Sequence, residues 1–204
     1  MKIFIAIITL MMIETSCGSP QKLSSVNLID KYGRQETIED SVIRSLQQNN
    51  DIVIALATEN YAWARSTNYL IVAQHNDEWI GYNYFVNNMP LAKENGAIAN
   101  FNINPAVVKK ESCDSLLKYI TDNEAWKIRG DSAGNFCPGN NKNCVINDAA
   151  ISRLWVIIKN KLINPAYYAP GFYEECCPGN SERKLFLQIA EKINSIVTIE
   201  AHSR

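Results

Sequence analysis

The sequence predicts a single α+β domain, with antiparallel β-hairpins packed against about three helices and disulfides stapling the irregular parts. Three observations carry that prediction. Residues 68–75 and 78–86, together rich in Tyr, Ile, Val, Trp and Phe, flank the dipeptide Asn76-Asp77, a tight-hairpin signature. Other segments place apolar residues at helical spacing. Strands and helices are interspersed without strict βαβ alternation, which favours an antiparallel sheet over a doubly wound one.

The first helix begins near Thr37. Thr37 and Asp40 make a weak capping box, and Ile38, Val42, Ile43 and Leu46 line one face as far as Asn49-Asn50. Residues 52–57, Ile-Val-Ile-Ala-Leu-Ala, are apolar without interruption and read as a buried strand rather than a helix. The hairpin follows. Residues 90–105 read as irregular, with Asn95-Gly96 as a turn. Ser112 then caps a second helix, in which Cys113, Leu116, Leu117 and Ile120 obey the i, i+3, i+4, i+7 rule.

Residues 128–148 hold Gly130, Gly134, Cys137-Pro138-Gly139-Asn140 and Cys144, which is loop chemistry. Residues 151–163 suit a helix through Ile151, Leu154, Trp155, Ile158 and Leu162. Strand–turn–strand around Asn160-Lys161 is favoured, because 154–158 is dense in β-formers and Asn164-Pro165 ends the unit. Residues 167–179 form a Tyr- and Pro-containing segment. Ser181 caps the last helix, with Leu185, Phe186, Ile189, Ala190, Ile193 and Val197 inward.

The N-terminal stretch is an address. Lys2 precedes an apolar run, residues 3–13, and then Glu14-Thr15-Ser16-Cys17-Gly18-Ser19-Pro20. A positive n-region, a short apolar h-region and small residues before a cut site describe a secretory signal. The run is far shorter than the ~18–20 residues of a permanent membrane helix. On Ser16-Cys17-Gly18-Ser19 the chain resembles bacterial lipoproteins with the loose lipobox of Bacteroidota, with Glu14 where an aliphatic residue is usual. That resemblance implies a signal peptide over 1–16 and an acylated Cys17 embedded in membrane lipid. It also implies a place on the cell envelope, at the periplasmic or surface face of the outer membrane. Residues 17–30 then carry the lipid and the tether, and 31–200 form the globular domain. Cleavage after Gly18, giving a soluble secreted or periplasmic protein, is the alternative.

The formal net charge is −1, with no basic block, so no electrostatic footprint for nucleic acid is present. Nine Tyr, six Phe and four Trp point to a packed core rather than disorder. No cofactor is expected.

Five cysteines remain beside Cys17: Cys113, Cys137, Cys144, Cys176 and Cys177. Outside the cytoplasm disulfides are their default, and an odd count leaves one thiol over. Cys113 lies on the apolar face of its predicted helix and is the natural spare. Cys176 and Cys177 are adjacent, and joining neighbours demands a strained ring. Each therefore takes a partner elsewhere, Cys137 and Cys144 supplying them in either of two connectivities. Such bridges close loops of ~30–40 residues and contribute on the order of 3–4 kcal/mol each. One bridge with two thiols is the alternative. A zinc site built from these sulfurs expects Cys-x2–4-Cys pairs, whereas the spacings are six residues and zero. Redox catalysis expects Cys-x-x-Cys, which is absent. No metal is expected.

Gly130-Asp131-Ser132-Ala133-Gly134 spells G-x-S-x-G. A nucleophile elbow needs a strand before the serine and a helix after it, and Asn135-Phe136-Cys137-Pro138-Gly139 cannot begin a helix. The same letters resemble the Gly-Asp-Ser-Gly-Gly of chymotrypsin-like proteases, with Ala73-Gln74-His75 a faint counterpart of their histidine site. Ala133 replaces a glycine, however, and two β-barrels do not fit this chain. His202 is the third residue from the end. No catalytic residue is assigned, and the motif reads as a glycine-rich surface loop. Arg129-Gly130-Asp131 is a bare three-letter integrin-type match. Glu174-Glu175 reads as a solvated pair, and His75 as a surface residue of the hairpin.

The best binding candidate is the aromatic group Tyr167, Tyr168, Phe172 and Tyr173 around Pro170-Gly171. Tyrosines in a rigid loop offer contact area at low entropic cost. Its competitor is a loop packed down on the sheet beside the disulfides. The expected function is a lipid-anchored, non-catalytic binding or accessory module with an envelope protein as partner. A small secreted hydrolase using Ser132 is the alternative.

Overall fold

A strand without polar alternation needs apolar cover on both faces, and β3 (Ile52–Asn60) has it. The structure, a computed structural model, describes residues 28–29, 35–36, 41–60, 66–87, 104–131, 137, 144–158 and 161–201. Residues 1–16, read above as a signal, and Cys17, Thr37, Ile38, Asp40, Asn95-Gly96 and Ser132 lie outside them. β1 (Leu28–Ile29) and β2 (Gln35–Glu36) form a separate two-stranded ladder. α1 (Ser41–Asn49) precedes β3. Then come β4 (Ser66–His75), β5 (Glu78–Asn87), β6 (Asn104–Ala106) and α2 (Lys110–Asp122). β7 (Ile151–Ile158), β8 (Lys161–Ile163), β9 (Ala166–Tyr168), α3 (Pro170–Cys176) and α4 (Ser181–Ala201) complete the order.

Strands β3 to β9 form one antiparallel sheet in the order β6-β5-β4-β3-β7-β8, with β9 also pairing β7. The molecule is the single α+β domain that the sequence predicts. On one face Ile52, Ile54 and Leu56 join Leu70, Val72, Leu154 and Val156 beneath α2 and α4. On the other, Val53, Ala55 and Ala57 join Tyr69, Ile71, Trp155 and Ile157 against Val42, Ile43 and Leu46 of α1. Successive side chains of a strand point to opposite faces, so cover on both sides makes the whole run apolar.

The β4–β5 hairpin turns at Asn76 and Asp77, whose φ angles of 49° and 67° are both positive, as a two-residue hairpin turn of this hand requires. The backbone N–H of Asn76 donates to the Asp51 carboxylate at 3.1 Å. Strand–turn–strand is also found over 151–163, although Lys161 lies in β8, paired with Ile158, rather than in the turn. β8 and β9 are one strand interrupted at Asn164-Pro165. The Leu154 N–H still donates to the Pro165 carbonyl at 3.0 Å, so the break costs little pairing.

Four expectations need correction. α2 begins at Lys110 after an extended Lys109 with no side-chain cap, which puts Ser112 inside the first turn rather than at the cap. Asn180, not Ser181, caps α4: its Oδ1 accepts the Arg183 N–H at 3.0 Å. Pro105 falls in the short strand β6, at the sheet edge, where a missing N–H is tolerated. Residues 167–179 are not a loop but hold the end of β9 and all of α3, with Pro170 in the first helical turn. Among the described residues no helix is long and apolar enough to cross a membrane.

Candidate functional site

Two bridges, Cys137–Cys177 and Cys144–Cys176, select one of the two connectivities that the sequence leaves open. They close separations of 40 and 32 residues, with Cα–Cα distances of 5.6 and 5.8 Å. Cys113 is buried on the inner side of α2, outside both bridges. Around the sulfurs Ala169 and Tyr173 form a small third core, flanked by Ile146, Ala149, Tyr168 and Phe172. This lobe sits at the β9–α3 end of the domain. The sulfurs of Cys137, Cys144 and Cys177 all lie within 4.8 Å of one another and are buried. Two adjacent bridges account for that spacing, and a bridged sulfur is not the thiolate that ligates metal.

The four aromatic residues of the binding candidate divide between interior and surface. Tyr167 is fully buried, its ring 4.8 Å from that of Phe186. Tyr173 is buried among the cysteines, edge-on to Phe172 at 5.2 Å. Tyr168 and Phe172 are half-buried. Alternation along β9 explains the first pair, since Tyr167 points inward and Tyr168 therefore outward. Tyr168 is also a clasp. Its hydroxyl donates to the Ile146 carbonyl at 3.2 Å and accepts the Ala149 N–H at 3.1 Å, holding the 144–150 segment to β9.

Beside this lobe lies a cluster of ionisable groups that the sequence reading does not anticipate. Arg183, in the first turn of α4, is completely buried. Its Nε donates to Glu174 at 3.1 Å, and its Nη2 donates to the carbonyls of Tyr173 and Cys177 at 3.0 and 2.7 Å. The guanidinium thus satisfies the carbonyl end of α3, where a cation also suits the helix dipole. Glu174 is accordingly an ion-pair partner, whereas Glu175 is exposed. A signal for Arg183 existed: it falls on the same helical stripe as Phe186, Ala190, Ile193 and Val197.

Asp131 is the second member. Its N–H donates to the Ala166 carbonyl at 2.9 Å, and its Oδ2 accepts the Tyr168 N–H at 3.1 Å. Its Oδ1 is buried with no hydrogen-bond partner among the described residues. Burial pushes the Asp131 carboxyl up to about 6, against the opposing pull of the Tyr168 N–H and of Arg183. The buried Tyr167 hydroxyl has no hydrogen bond of normal geometry, although the Gly130 backbone borders it. Burial raises its phenol, and the charges of Glu182 and Asp131 add to that. Gly130 has φ 80°, and a Cβ there would lie 2.7 Å from the Ala166 carbonyl oxygen. Only glycine lets the loop lie flat on β9.

Arg129 closes the cluster from the solvent side. Its backbone N–H, Nε and Nη2 all donate to the Glu182 carboxylate, at 2.8, 3.1 and 2.7 Å. The Arg129-Gly130-Asp131 tripeptide is thereby tied to α4 and β9, not displayed. His75 is exposed at the β4–β5 turn and bonds Asn76 at 2.9 Å. Among the described residues no serine or thiol stands against a histidine. Arg183 is paired with Glu174 and Arg129 with Glu182, and these pairs, with the Asp131–Tyr168 hydrogen bond, tie β9, α3 and α4 together. No family model matches the sequence, and no curated protein matches it.

Proposed function

We propose that the protein is a membrane-tethered, non-catalytic binding or accessory module of a bacterial cell envelope, held there through an acylated Cys17. The observation that supports this best is the pair of bridges Cys137–Cys177 and Cys144–Cys176. Two disulfides fastening one lobe suit an oxidising compartment, which is where the N-terminal signal directs the chain. An anchor of two or three acyl chains holds effectively permanently, at ~0.8 kcal/mol per buried methylene. The partner is an envelope protein that meets the lobe through the half-buried Tyr168 and Phe172 and the exposed Val145.

Crosslinking in intact envelopes tests this. The wild-type chain should sediment with membranes and yield a discrete crosslinked species. Tyr168→Ala and Phe172→Ala should weaken that species several-fold without changing sedimentation, while Cys17→Ser should move the protein to the soluble fraction. Membrane association unchanged in Cys17→Ser overturns the anchor. Reaction with a serine-directed phosphonate probe, lost in Ser132→Ala, overturns the non-catalytic assignment.

A further inference from the structure

The bridges are usually static staples, but here their sulfurs form one cluster. Cys137, Cys144 and Cys177 lie within 4.8 Å of one another, and Cys176 is bonded to Cys144. Access is uneven. Cys137, Cys144 and Cys177 are 9%, 6% and 7% exposed, whereas Cys176 is half-buried and the most open of the four. We propose that the cluster is a thiol–disulfide exchange site, in which Cys176 is the sulfur attacked first and an external thiol is the co-reactant.

A thiolate RS⁻ attacks Sγ of Cys176; the R–S–S–Cys176 bond forms, the Cys144–Cys176 bond breaks, and the electron pair leaves on Cys144. The Cys144 thiolate attacks the neighbouring bridge at Cys177, forming Cys144–Cys177 and expelling Cys137, which takes a proton from solvent. Attack at Cys137 instead gives Cys137–Cys144 and expels Cys177. A second RS⁻ then attacks the R sulfur of the mixed disulfide, releasing R–S–S–R and the Cys176 thiolate, which is protonated. Two external thiols are oxidised to one disulfide, and one protein bridge is reduced to two thiols.

Geometry favours the second step. A hop of χ1 between staggered wells moves a cysteine sulfur by about 3 Å, enough to bring sulfurs within 4.8 Å to bonding distance. Hydrogen bonds hold the backbone beside Cys177 and Cys144 meanwhile. The buried Arg183 holds the carbonyls of Tyr173 and Cys177, and Tyr168 holds the 144–150 segment, so a freed Cys144 remains opposite its target. A Cys144 thiolate generated in this lobe therefore has both sulfurs of the other bridge within 4.8 Å.

Limited reduction of the oxidised full-length protein with glutathione, quenched by rapid alkylation and mapped by peptide mass, tests the proposal. Expected are glutathione on Cys176 and a two-electron-reduced species in which Cys144 is bridged to Cys177 or Cys137. A reduced species that keeps only Cys137–Cys177, with Cys144 and Cys176 both alkylated, overturns it. Cys176→Ser, purified without reductant, gives a second reading. Its thiol should spread from Cys144 to Cys137 or Cys177, and confinement to Cys144 overturns the proposal. Should Cys176→Ser not fold, glutathione mapping of the unaltered protein decides alone.

Discussion

Arg183 is the side chain whose removal should do most harm for its size. It is fully buried, yet its guanidinium donates to Glu174 and to the carbonyls of Tyr173 and Cys177. Arg183→Met keeps the aliphatic stem and deletes the donors. Two buried carbonyls then lose their charged partner, at roughly 1–3 kcal/mol each. Glu174 loses its ion pair, but with a side chain 23% exposed it recovers part of that from water. Better burial of methionine offsets some of the loss, as replacements of buried ions by apolar groups often show. The net expectation is about 3 kcal/mol of destabilisation. With both bridges intact and a urea m-value of about 2 kcal/mol/M, the midpoint should fall by about 1.5 M. Glu174→Gln should cost about 1 kcal/mol, because Arg183 keeps both carbonyl bonds. A shift below about 0.3 M in Arg183→Met, with m unchanged, would refute the role given to the guanidinium.

Further outcomes follow from the same cluster. The folded-state pKa of Asp131, about 6, stands above its ordinary value, so the folded chain holds this proton more tightly than the unfolded chain. Its contribution to stability is therefore full below about pH 4 and is lost as pH rises through about 6. Asp131→Asn, which mimics the protonated acid, should stabilise the protein by on the order of 1 kcal/mol at pH 7.5, after discounting for partial exposure, and flatten that slope. Equal slopes in urea melts of both proteins between pH 4 and 7 contradict this. Gly130→Ala must place a Cβ 2.7 Å from the Ala166 carbonyl at φ 80°, and should lower stability by about 2 kcal/mol or more by thermal melting. Tyr168→Phe leaves the Ala149 N–H and Ile146 carbonyl without their hydroxyl partner. It should cost about 1–2 kcal/mol and speed amide exchange at Ala149.

What the sequence made legible is what local chemistry decides. Asn76-Asp77 tolerates positive φ, so the hairpin register could be read directly. The unbroken apolar run of β3 announced cover on both faces. Elimination among the cysteines reached the bridged set, but Cys176 and Cys177 are neighbours in the chain, and only the fold selects which takes which partner. Asn180 and Ser181 are both good caps, and propensity cannot separate adjacent positions. β9 and α3, at three and seven residues, are too short to show a period. That is why two of the four tyrosine-group residues read as surface and are core. Arg183 was visible as a stripe position, but a pattern of apolar residues passes over an arginine. Asp131 had no local signal, since its burial comes from β9, whose Tyr168 N–H lies 37 residues along the chain.

Intact-mass analysis of the native protein recovered from membranes tests the anchored module most directly. Anchoring through Cys17 and an oxidising compartment together predict a mature chain that begins at Cys17 and carries acyl mass. Its mass should also be lower by the four hydrogens lost to the two bridges. A chain that begins at Ser19 with no acyl mass contradicts the anchor. The full complement of cysteine hydrogens in the native protein contradicts the clamped lobe.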